Sequence, residues 1–453
     1  MNPPALEAPS ALQHCDVFVI GGGPAGATMA ALLAREGRDV VIAEKARHPR
    51  FHIGESLLPA NVALFDRLGL RDRIEAIGMP KWGVEFVSPT HDEPSHLEFA
   101  EAWDKSMPYA WQVRRSALDE ILFRHAAETG ARAFEQCRVR EVAFDAGGAT
   151  LRTETTADDG AKTTQHWRAK FVVDASGRDT LLANQFGSKR KNPKHASSAI
   201  FGHYTGVQRH PGKREGDITI FWFAHGWFWF IPLADGTTSI GAVCWPRYLH
   251  ARKKPLKDFF ADTIALAPKL AARLEGATLV DDTVHATGNY SYGGTRCAGD
   301  RWLMLGDAYA FIDPVFSSGV YLAMHSAFAG ADAVRTRLDR PAHALLARRV
   351  FERTMRHGPR EFSWFIFRVT NPTMREFFMH PANPLRMREA ILSVLAGDIF
   401  GRKPFRGALA LFKLVYLGSA LRHAARSWAA WRRRRQDIRD LGPLAGETIL
   451  ENR

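Results

Sequence analysis

Three glycines with the spacing Gly21-x-Gly23-x-x-Gly26 follow an apolar run at residues 16–20, and Glu44 ends the next apolar run. In a strand-turn-helix unit, glycines at this spacing permit a tight turn, close approach of the backbone to a pyrophosphate and close packing of helix on strand. The helix N-terminus adds partial positive charge for the phosphates, and a carboxylate at the second strand end accepts hydrogen bonds from a ribose diol. The pattern predicts a dinucleotide-binding site.

A second group of chemistry-bearing side chains is the segment Trp227-Phe228-Trp229-Phe230-Ile231-Pro232, which has four aromatics in six residues. Alternate side chains of a strand point to opposite faces, so both faces of this strand carry large rings. One apolar face would suffice for an ordinary core strand. We interpret the segment as a wall between two compartments that must be kept apart.

Apolar runs predict the strands and helices that carry these residues. Residues 16–20 and 39–43 are predicted strands on either side of a helix at 25–37, which makes a βαβ unit. Two further apolar runs, at 170–175 and 301–305, end in glycine-containing turns and predict further strands of the same sheet.

Between and after these strands the pattern changes. Residues 199–245 alternate aromatic and β-branched residues between glycine-containing turns, which predicts an antiparallel sheet inserted into the parallel domain. After about residue 345 the chain is rich in Arg, Phe and Met and has no glycine-rich strand ends. We therefore predict a helical C-terminal segment.

Composition sets broad limits on function. The chain has 453 residues, enough for two or three domains, with 46% hydrophobic and 24% charged residues. Its net charge of +13 favours acidic proteins, anionic ligands, membrane surfaces or nucleic acid without choosing among them, and no nucleic-acid-binding module is recognisable. We predict no nucleic-acid partner.

The cysteines and the N-terminus indicate the compartment. The four cysteines lack metal-ligand or C-x-x-C spacing, so we predict neither a metal site nor a disulfide framework. Residues 1–14 lack the basic and apolar regions of a secretory signal. A reducing compartment fits best, and we expect a cytoplasmic protein.

The later strand ends distinguish FAD from NAD. Gly306-Asp307 places a carboxylate against a ribityl chain, and the segments at 174–178 and 112–119 stand where glutathione-reductase-like FAD domains carry their motifs. With the βαβ unit, they resemble the FAD-dependent monooxygenase superfamily over residues 15–345. No second glycine-rich βαβ fingerprint is evident, so we expect no resident NAD(P)H domain and a separate flavin reductase as partner.

The resemblance implies an α/β fold: a glutathione-reductase-like FAD-binding domain of Rossmann type, an inserted antiparallel β-sheet substrate domain and a helical C-terminal region. We predict the FAD-binding domain at 15–85, 105–195 and 285–345, the substrate domain at 86–104 and 196–284, and the helical region at 346–453.

The predicted FAD contacts lie in the glycine turn, at strand ends and in segments that this family places near the flavin. One such segment is Gly54-Glu55-Ser56-Leu57-Leu58-Pro59, which resembles a stretch over the flavin edge. The predicted cofactor-binding residues are Gly21, Gly23, Ala25, Gly26, Glu44, Lys45, Gly54, Ser56, Arg115, Asp307 and Pro314.

Two further motifs resemble signatures of the flavin-dependent halogenases. Trp227-x-Trp229-x-Ile231-Pro232 is similar to W-x-W-x-I-P, and Phe311-x-x-Pro314-x-x-Ser317-x-Gly319 is similar to F-x-x-P-x-x-S-x-G. The resemblance implies a barrier that keeps an organic substrate from the flavin while a small oxidant crosses. The barrier residues would be Trp227, Trp229, Ile231, Pro232 and Phe311.

Ser317, Ser318 and Gly319 open a predicted helix at 320–335. Backbone N–H groups and the dipole at a helix start can hold an anion, and chloride or bromide beside the flavin is the natural candidate. The helix start could also hold a carbonyl of the flavin ring, and the two uses are compatible.

The family also has a lysine between the two compartments, and Lys81 in Gly78-Met79-Pro80-Lys81-x-Gly83-x-x-Phe86 lies at the corresponding place. The resemblance implies that reduced FAD and O2 oxidise halide to hypohalous acid, which passes to Lys81. Either its ammonium hydrogen-bonds the acid, or its amine forms a haloamine, and an ordinary lysine pKa of about 10.4 disfavours the second route unless burial lowers it. The plainer alternative is an exposed lysine in a turn after Pro80.

Phe316 indicates the substrate class. Tryptophan halogenases carry a glutamate at this place, whereas the pattern here resembles halogenases of phenols and pyrroles, many of which take substrates tethered to an acyl or peptidyl carrier protein. We predict an FADH2- and O2-dependent halogenase that installs chlorine or bromine on an electron-rich aromatic ring. The alternative is an FAD-dependent monooxygenase or a geranylgeranyl-reductase-type oxidoreductase, which shares the FAD motifs.

The C-terminal segment at 400–435 mixes large apolar residues with Lys, Arg and a run of four arginines. No apolar stretch approaches the ~20 residues needed to span a bilayer. Three interpretations stay open: a helix packed over the substrate entrance, a basic amphipathic helix in peripheral contact with a membrane, or a docking surface for an acidic carrier protein.

Overall fold

The computed structural model of the protein describes residues 12–193 and 195–439. The strands in this part of the chain are β1 (Gln13–Ile20), β2 (Val40–Ala43), β3 (Met79–Lys81), β4 (Gly83–Val87), β5 (Ser95–Glu98), β6 (Ala110–Gln112), β7 (Arg132–Phe134), β8 (Cys137–Asp145), β9 (Gly148–Thr156), β10 (Lys162–Asp174), β11 (Lys189–Lys191), β12 (Ser197–Thr205), β13 (Ile218–Phe223), β14 (Gly226–Pro232), β15 (Thr238–Cys244), β16 (Thr278–Leu279), β17 (His285–Tyr290), β18 (Tyr292–Gly294), β19 (Trp302–Met304) and β20 (Ala310–Phe311). The α-helices are α1 (Pro24–Arg35), α2 (Ala60–Leu68), α3 (Arg71–Glu75), α4 (Arg115–Glu128), α5 (Leu181–Gln185), α6 (Pro246–His250), α7 (Leu256–Ala265), α8 (Pro268–Arg273), α9 (Gly319–Asp339), α10 (Ala344–Ile366), α11 (Pro372–Met379), α12 (Met387–Leu395), α13 (Arg406–Arg422) and α14 (Ala424–Arg439).

The first sheet has seven strands in the order β7-β2-β1-β10-β9-β8, with β19 also paired to β10. β1 pairs in parallel with β2 and β10, and β10 pairs in parallel with β19, whereas β8 and β9 continue as an antiparallel meander. Because parallel strands end at one edge of a sheet, the turns after β1, β10 and β19 meet there. The sheet confirms the predicted Rossmann-type domain.

The second sheet has eight strands in the order β16-β12-β15-β14-β13-β4-β5, with β17 also paired to β12. Its pairings are antiparallel except between β4 and β13, which run parallel. These two strands are far apart in the chain, and the long connection between them permits the parallel direction that a hairpin cannot make. The inserted sheet is confirmed, but it is mixed rather than purely antiparallel.

The two faces of β14 lie in two separate cores. Trp227 and Trp229 belong to the main core, whereas Phe228 and Phe230 belong to a smaller one that also contains Phe260 of α7. The phenylalanine face is therefore explained by packing against helices. The tryptophan face can still wall off a compartment. The interpretation of the phenylalanine face as a second compartment wall was wrong.

Up to residue 439 the C-terminal region is helical as predicted, from α10 to α14, and residues 440–453 of the predicted region lie outside the described residues. Helix α9 begins at Gly319 and ends at Asp339, so it is longer than the predicted helix at 320–335. The basic segment forms two helices, α13 and α14, because the chain turns at His423. None of the helices in the described residues is both long and apolar enough to cross a membrane.

Candidate active site

The glycine turn lies where β1 and β10 end side by side. Gly21 has a φ of +101°, and a Cβ at this position would collide with the carbonyl oxygen of Ala175 at the end of β10. A Cβ at Gly26 would collide with the carbonyl oxygen of Gly21, so helix α1 could not pack as closely on the turn. The turn therefore requires glycine at both places, and the first amides of α1 after Gly23 have no partner within the helix and can bind phosphate.

Glu44 directly follows β2 and is 4% exposed. Its carboxylate accepts hydrogen bonds from the backbone N–H of Gly22 at 2.7 Å and of Ala46 at 3.0 Å. A carboxylate has about four acceptor positions, so capacity is left for the two hydroxyls of a ribose. The position and the remaining acceptors fit the predicted contact with the adenosine ribose of FAD.

Arg50 also lies at this turn, and no motif in the sequence indicated it. Its guanidinium is 3.2 Å from Asp119 and 3.4 Å from Glu44, and its Nη2 is the closest atom to the place of a Cβ on Gly23. Among the described residues, the buried Nε of Arg50 has no hydrogen-bond partner. An unpartnered donor beside the glycine turn fits a phosphate oxygen of the dinucleotide.

Asp307 lies in the turn after β19, at the same edge of the sheet. The N–H of Gly306 donates to Ser326 Oγ of α9 at 3.0 Å, and Ala25 of α1 and Ala323 of α9 border the same glycine. Burial raises the pKa of the Asp307 carboxyl to about 6, and within the described chain no hydrogen bond reaches this carboxylate. A hydroxyl donor of a ribityl chain would satisfy it, so the residue fits FAD.

Arg115 and Lys45 are engaged by protein groups. Arg115 donates to both carboxylate oxygens of Asp119, at 2.9 and 3.1 Å, and to the carbonyl of Ile53 at 3.0 Å. It thereby holds the loop that contains Gly54 and Ser56. Lys45 donates to a surface aspartate at 2.6 Å. Their contact with FAD stays a prediction.

Lys81 is the last residue of β3 and is 2% exposed. Its Nζ donates to Ser56 Oγ and to the carbonyl of Leu57, both at 3.0 Å, and lies 5.2 Å from the centre of the Phe99 ring. Burial lowers the pKa of Lys81 to about 7, against the opposing charge of Asp217. The alternative of an exposed turn lysine is wrong, and the desolvation that the haloamine route requires is present.

Asp217 orients the chain next to Lys81, and the sequence carried no signal for it. Its buried carboxylate accepts from the N–H groups of Trp82 and Gly83 at 2.8 and 2.7 Å, and from His96 Nε2 at 2.8 Å. These bonds hold the start of β4 against the turn before β13. They thereby fix the backbone directly after Lys81, the last residue of β3.

Three of the predicted barrier residues of β14, Trp227, Trp229 and Ile231, form one buried row on the face toward the main core. Trp227 and Trp229 are 3% and 5% exposed, and their ring centres lie 6.2 Å apart. The indole N–H of Trp229 donates to Ser239 Oγ on β15 at 3.1 Å, which fixes its orientation. Ile231 and Pro232 continue the strand and are also buried. The row is apolar and its second indole is held in place, as a barrier to a bulky organic substrate would require. Its role as a barrier stays a prediction.

Phe311 is in a different place, on the short strand β20. Its ring centre is 6.2 Å from that of Tyr292 on β18, and the hydroxyl of Tyr292 donates to the carbonyl of Asp307 at 2.8 Å. Phe311 is therefore positioned together with the Asp307 turn. Its role in the barrier stays a prediction.

The predicted halide residues lie at the start of α9. The side chain of Asp313 accepts a backbone hydrogen bond at 3.2 Å within the turn Pro314–Phe316, and Ser317 then takes a left-handed conformation with a φ of +55°. Ser318 precedes the helix, and Gly319 begins it. The first amides of this 21-residue helix have no partner within the helix, so they can hold an anion.

Asp313 belongs to a buried chain of polar contacts that the sequence did not reveal. Its carboxylate accepts from Ser197 Oγ at 2.7 Å and pairs with His195 Nε2 at 2.9 Å, while Arg434 lies 2.6 Å from His195 Nδ1. Because arginine can only donate, His195 Nδ1 accepts and Nε2 carries the proton that is donated to Asp313. His195, Asp313 and Trp227 line one small cavity.

Arg434 comes from the run of four arginines in α14. Burial lowers its pKa to about 10, which leaves it cationic at neutral pH, and it also donates to the carbonyl of Phe367. The four arginines are therefore not all available to a binding partner, because Arg434 contacts residues of this chain. One of its members holds the loop that carries the predicted halide site.

Phe316, which stands where tryptophan halogenases carry a glutamate, is buried. Its ring is 6.4 Å from that of Phe378 in α11 and 6.4 Å from that of Phe365 in α10. The rings around this position are aromatic, and none of them supplies the carboxylate that tryptophan halogenases carry here.

A surface group of metal-ligand types also occurs. In the described part of the chain, ligand atoms of His91, Glu376 and His380 lie within 4.8 Å of one another. Neither spacing nor motif indicated this group, and the prediction of no metal site stays a prediction.

Comparison with known proteins agrees with this geometry. The parallel sheet, the glycine turn and the two carboxylates define an FAD-binding flavoprotein, and a family model described as an FAD binding domain matches residues 14–348. The chain is 33% identical to the flavin-dependent halogenase gsfI of Penicillium aethiopicum, over 91% of this chain and 78% of that protein. The chain belongs to the flavin-dependent halogenases, and FAD is its cofactor.

Two further similarities come from bacteria. The chain is 29% identical to the 1H-pyrrole-2-carbonyl-(peptidyl-carrier protein) chlorinase of Pseudomonas fluorescens, over 86% of this chain and 90% of that one. Its fold is similar to that of the myxobacterial chondrochloren halogenase CndH, with a TM-score of 0.74, 29% identity, and coverage of 95% of this chain and 98% of that one.

Proposed function

We propose that the protein transfers an oxidised halogen to an electron-rich aromatic ring through Lys81. The observation that carries the proposal is the buried amine of Lys81, held by Ser56 and Leu57 with its pKa lowered to about 7, in a chain of the halogenase family. Such an amine can change its charge at neutral pH, which a surface lysine cannot.

The cofactor site supplies the oxidising power. When bound, reduced FAD supplies the electrons for O2 and so the means to oxidise a halide. The residues that would hold the cofactor, from the glycine turn to the ribityl contact, are Gly21, Gly23, Gly26, Glu44, Arg50 and Asp307.

The start of α9 would hold chloride or bromide. Its first amides and the helix dipole favour a negative charge at Ser318 and Gly319. Asp313 would repel an anion if it were free, but its carboxylate is turned to His195 and Ser197, and Arg434 adds a positive charge behind them. This arrangement supports the halide assignment.

The number of donors on Lys81 supports the amine route. A neutral amine has two N–H donors, and Nζ has two protein acceptors, Ser56 Oγ and the Leu57 carbonyl. The nitrogen lone pair is then directed away from both, where hypohalous acid can transfer X+ to it. The N–X bond forms as the X–O bond of the acid breaks, and the departing hydroxide takes one proton of Nζ and leaves as water. The ring then takes X+ from the haloamine, and the proton that the ring loses returns to Nζ.

The substrate would be a phenol or pyrrole. Phe316 and its aromatic neighbours offer no carboxylate to a cationic ring intermediate, so we expect a substrate that stabilises it itself, as the oxygen of a phenol or the nitrogen of a pyrrole does. The similarity to a chlorinase of a peptidyl-carrier-bound pyrrole supports a tethered form of the substrate.

Lys81→Ala tests the reaction. With reduced FAD, O2 and bromide supplied, we expect the variant to lose ring halogenation while a small-molecule trap still detects hypohalous acid. Lys162→Ala, at a lysine 60% exposed, is the matched control and should keep full activity. Full halogenation by Lys81→Ala, or a hydroxylated product from the unaltered protein in excess bromide, would contradict the proposal.

A separate flavin reductase is the proposed electron donor. Purified protein with FAD, NADH, O2 and halide should give negligible product until a reductase is added. Substantial turnover without reductase would show that nicotinamide reduces the flavin on this chain.

A further inference from the structure

Helix α13 has two apolar faces. Leu409, Phe412 and Tyr416 point into the main core. Leu414, Leu417 and Leu421 are spaced by three and four residues, fall on the opposite face, and are 65%, 46% and 76% exposed. A surface helix normally carries polar side chains on its outer face. The outer face of α13 therefore needs a partner that accepts large apolar groups.

Helix α14 follows after the turn at His423, contacts α13 and has an exposed face of different composition. Trp428 and Trp431 are 59% and 50% exposed, and the guanidinium groups of Arg432 and Arg435 lie 4.6 and 4.8 Å from their ring centres. These four residues are spaced at three, four and seven positions, so they share one face. Arg434 lies on the opposite face and points inward to His195.

The charge of both helices is strongly positive. From residue 406 to 439 the sequence has nine Lys or Arg residues and one acidic residue, Asp437. Exposed leucines next to tryptophans and arginines form the pattern of a helix that lies in a membrane interface, with rings at the headgroups and guanidinium groups at lipid phosphates.

We infer that this surface, Leu414, Leu417, Leu421, Trp428, Trp431, Arg432 and Arg435, binds the interface of an anionic membrane. An acidic carrier protein would match the arginines, but a transient protein interface is about as apolar as the rest of a protein surface, whereas the outer face of α13 is a row of leucines. The lipid interface accommodates both the apolar row and the positive charge.

The inference does not depend on the proposed reaction, but it bears on access to the site. The inner side of α14 contacts His195, which pairs with Asp313 of the halide loop. A helix with its side chains is about 10 Å across. A membrane bound at the outer side therefore lies about one helix diameter from this network, so a membrane-associated aromatic substrate would be delivered close to it.

Sedimentation with lipid vesicles tests the inference on the full-length protein. We expect binding to phosphatidylcholine vesicles with about 30% phosphatidylglycerol, little binding to pure phosphatidylcholine, and weaker binding at high salt. Leu414→Ser with Leu421→Ser, and Trp428→Ser with Trp431→Ser, should each reduce vesicle binding about tenfold or more. Leu266→Ser with Leu346→Ser, at apolar residues 48% and 65% exposed elsewhere, is the matched control and should bind as the unaltered protein does.

Other occupants of the surface give distinct results. Absence of binding to the anionic vesicles, or equal binding by all variants, would overturn the inference. So would a dimer in light scattering that the Leu or Trp variants dissociate, or an acidic carrier protein that binds this surface in the absence of lipid. Circular dichroism and thermal unfolding of each variant check that it is folded, and halogenation of a free substrate by these variants should be unchanged.

Discussion

Lys81 is buried and Arg434 is half-buried, both lie beside the predicted reaction path, and their surroundings differ. Lys81 faces two neutral oxygens, and its pKa is lowered to about 7. Arg434 faces a histidine and a carbonyl with the carboxylate of Asp313 behind them, and its pKa of about 10 keeps it charged. Desolvation thus lowers both pKa values, but it produces one group that can lose its proton in the working pH range and one that cannot.

The difference follows from the partners and from the side-chain chemistry. Desolvation destabilises both cations, but an amine can shed its proton readily and a guanidinium cannot. A lysine whose only acceptors are neutral can lose a proton and act as a nucleophile. An arginine that donates to a histidine, which in turn donates to a carboxylate, can hold a loop in place. The following predictions test this contrast.

The largest effect is expected from exchanging the type of cation. Lys81→Arg keeps a positive charge but offers no amine lone pair at neutral pH, so we expect halogenation to fall by about 100-fold or more. Arg434→Lys keeps both the charge and a donor to His195, so activity should change by only about threefold or less. Product formation measured by mass spectrometry at saturating reduced FAD compares the two. Equal losses would show that the two cations serve the same purpose.

Removing the charge of Asp313 should mainly affect stability. Asp313→Asn leaves Arg434 and His195 without a carboxylate in a buried place, and we expect a loss of about 2–3 kcal/mol in the free energy of unfolding. Ser197→Ala removes one neutral hydrogen bond to the same carboxylate and should cost about 1 kcal/mol. Urea denaturation of both variants gives the comparison, and equal losses would contradict a special role for the charge.

The pH dependence distinguishes the amine from the ammonium route. With a pKa of about 7, the neutral fraction of Lys81 increases about tenfold between pH 6 and pH 8, and the rate of the halogen-transfer step should increase with it. The midpoint should be the same with chloride and bromide, because it belongs to the lysine and not to the hypohalous acid. A rate that falls across this range would support the ammonium route instead.

The same shift has a consequence for stability. Since the pKa of Lys81 is lower in the folded than in the unfolded protein, the unfolded chain binds more protons between about pH 7 and pH 10. This group therefore makes the folded state more stable as the pH rises through that window, whereas Lys81→Met should lack that contribution.

The smallest effect is expected at Ser56. Ser56→Ala removes one of the two acceptors of Lys81 but leaves the Leu57 carbonyl, so we expect the rate to fall by about threefold. Ser56→Thr keeps an acceptor hydroxyl and should be closer to the unaltered enzyme. A loss as large as that of Lys81→Ala would mean that Ser56 itself takes part in the chemistry.

The sequence by itself determined the dinucleotide turn and the halogenase family, and it indicated the two carboxylates that are predicted to contact FAD. Gly21, Gly26 and Asp307 are recognisable because each depends on a local requirement, such as a positive φ, a close approach or a strand end. The inserted sheet and the helical C-terminus were likewise predictable, because alternation and helical periodicity are local patterns.

Only the tertiary structure decided what surrounds those residues. Burial of Lys81, the inward direction of Arg434 and its contact with His195, and the packing of Phe228 against α7 and α8 depend on segments that are distant in the chain. A run of four arginines looks the same whether one side chain points inward or all are solvated. Desolvation is a property of the assembled neighbourhood, and so is the pKa that separates an amine able to lose its proton near neutral pH from a guanidinium that stays charged.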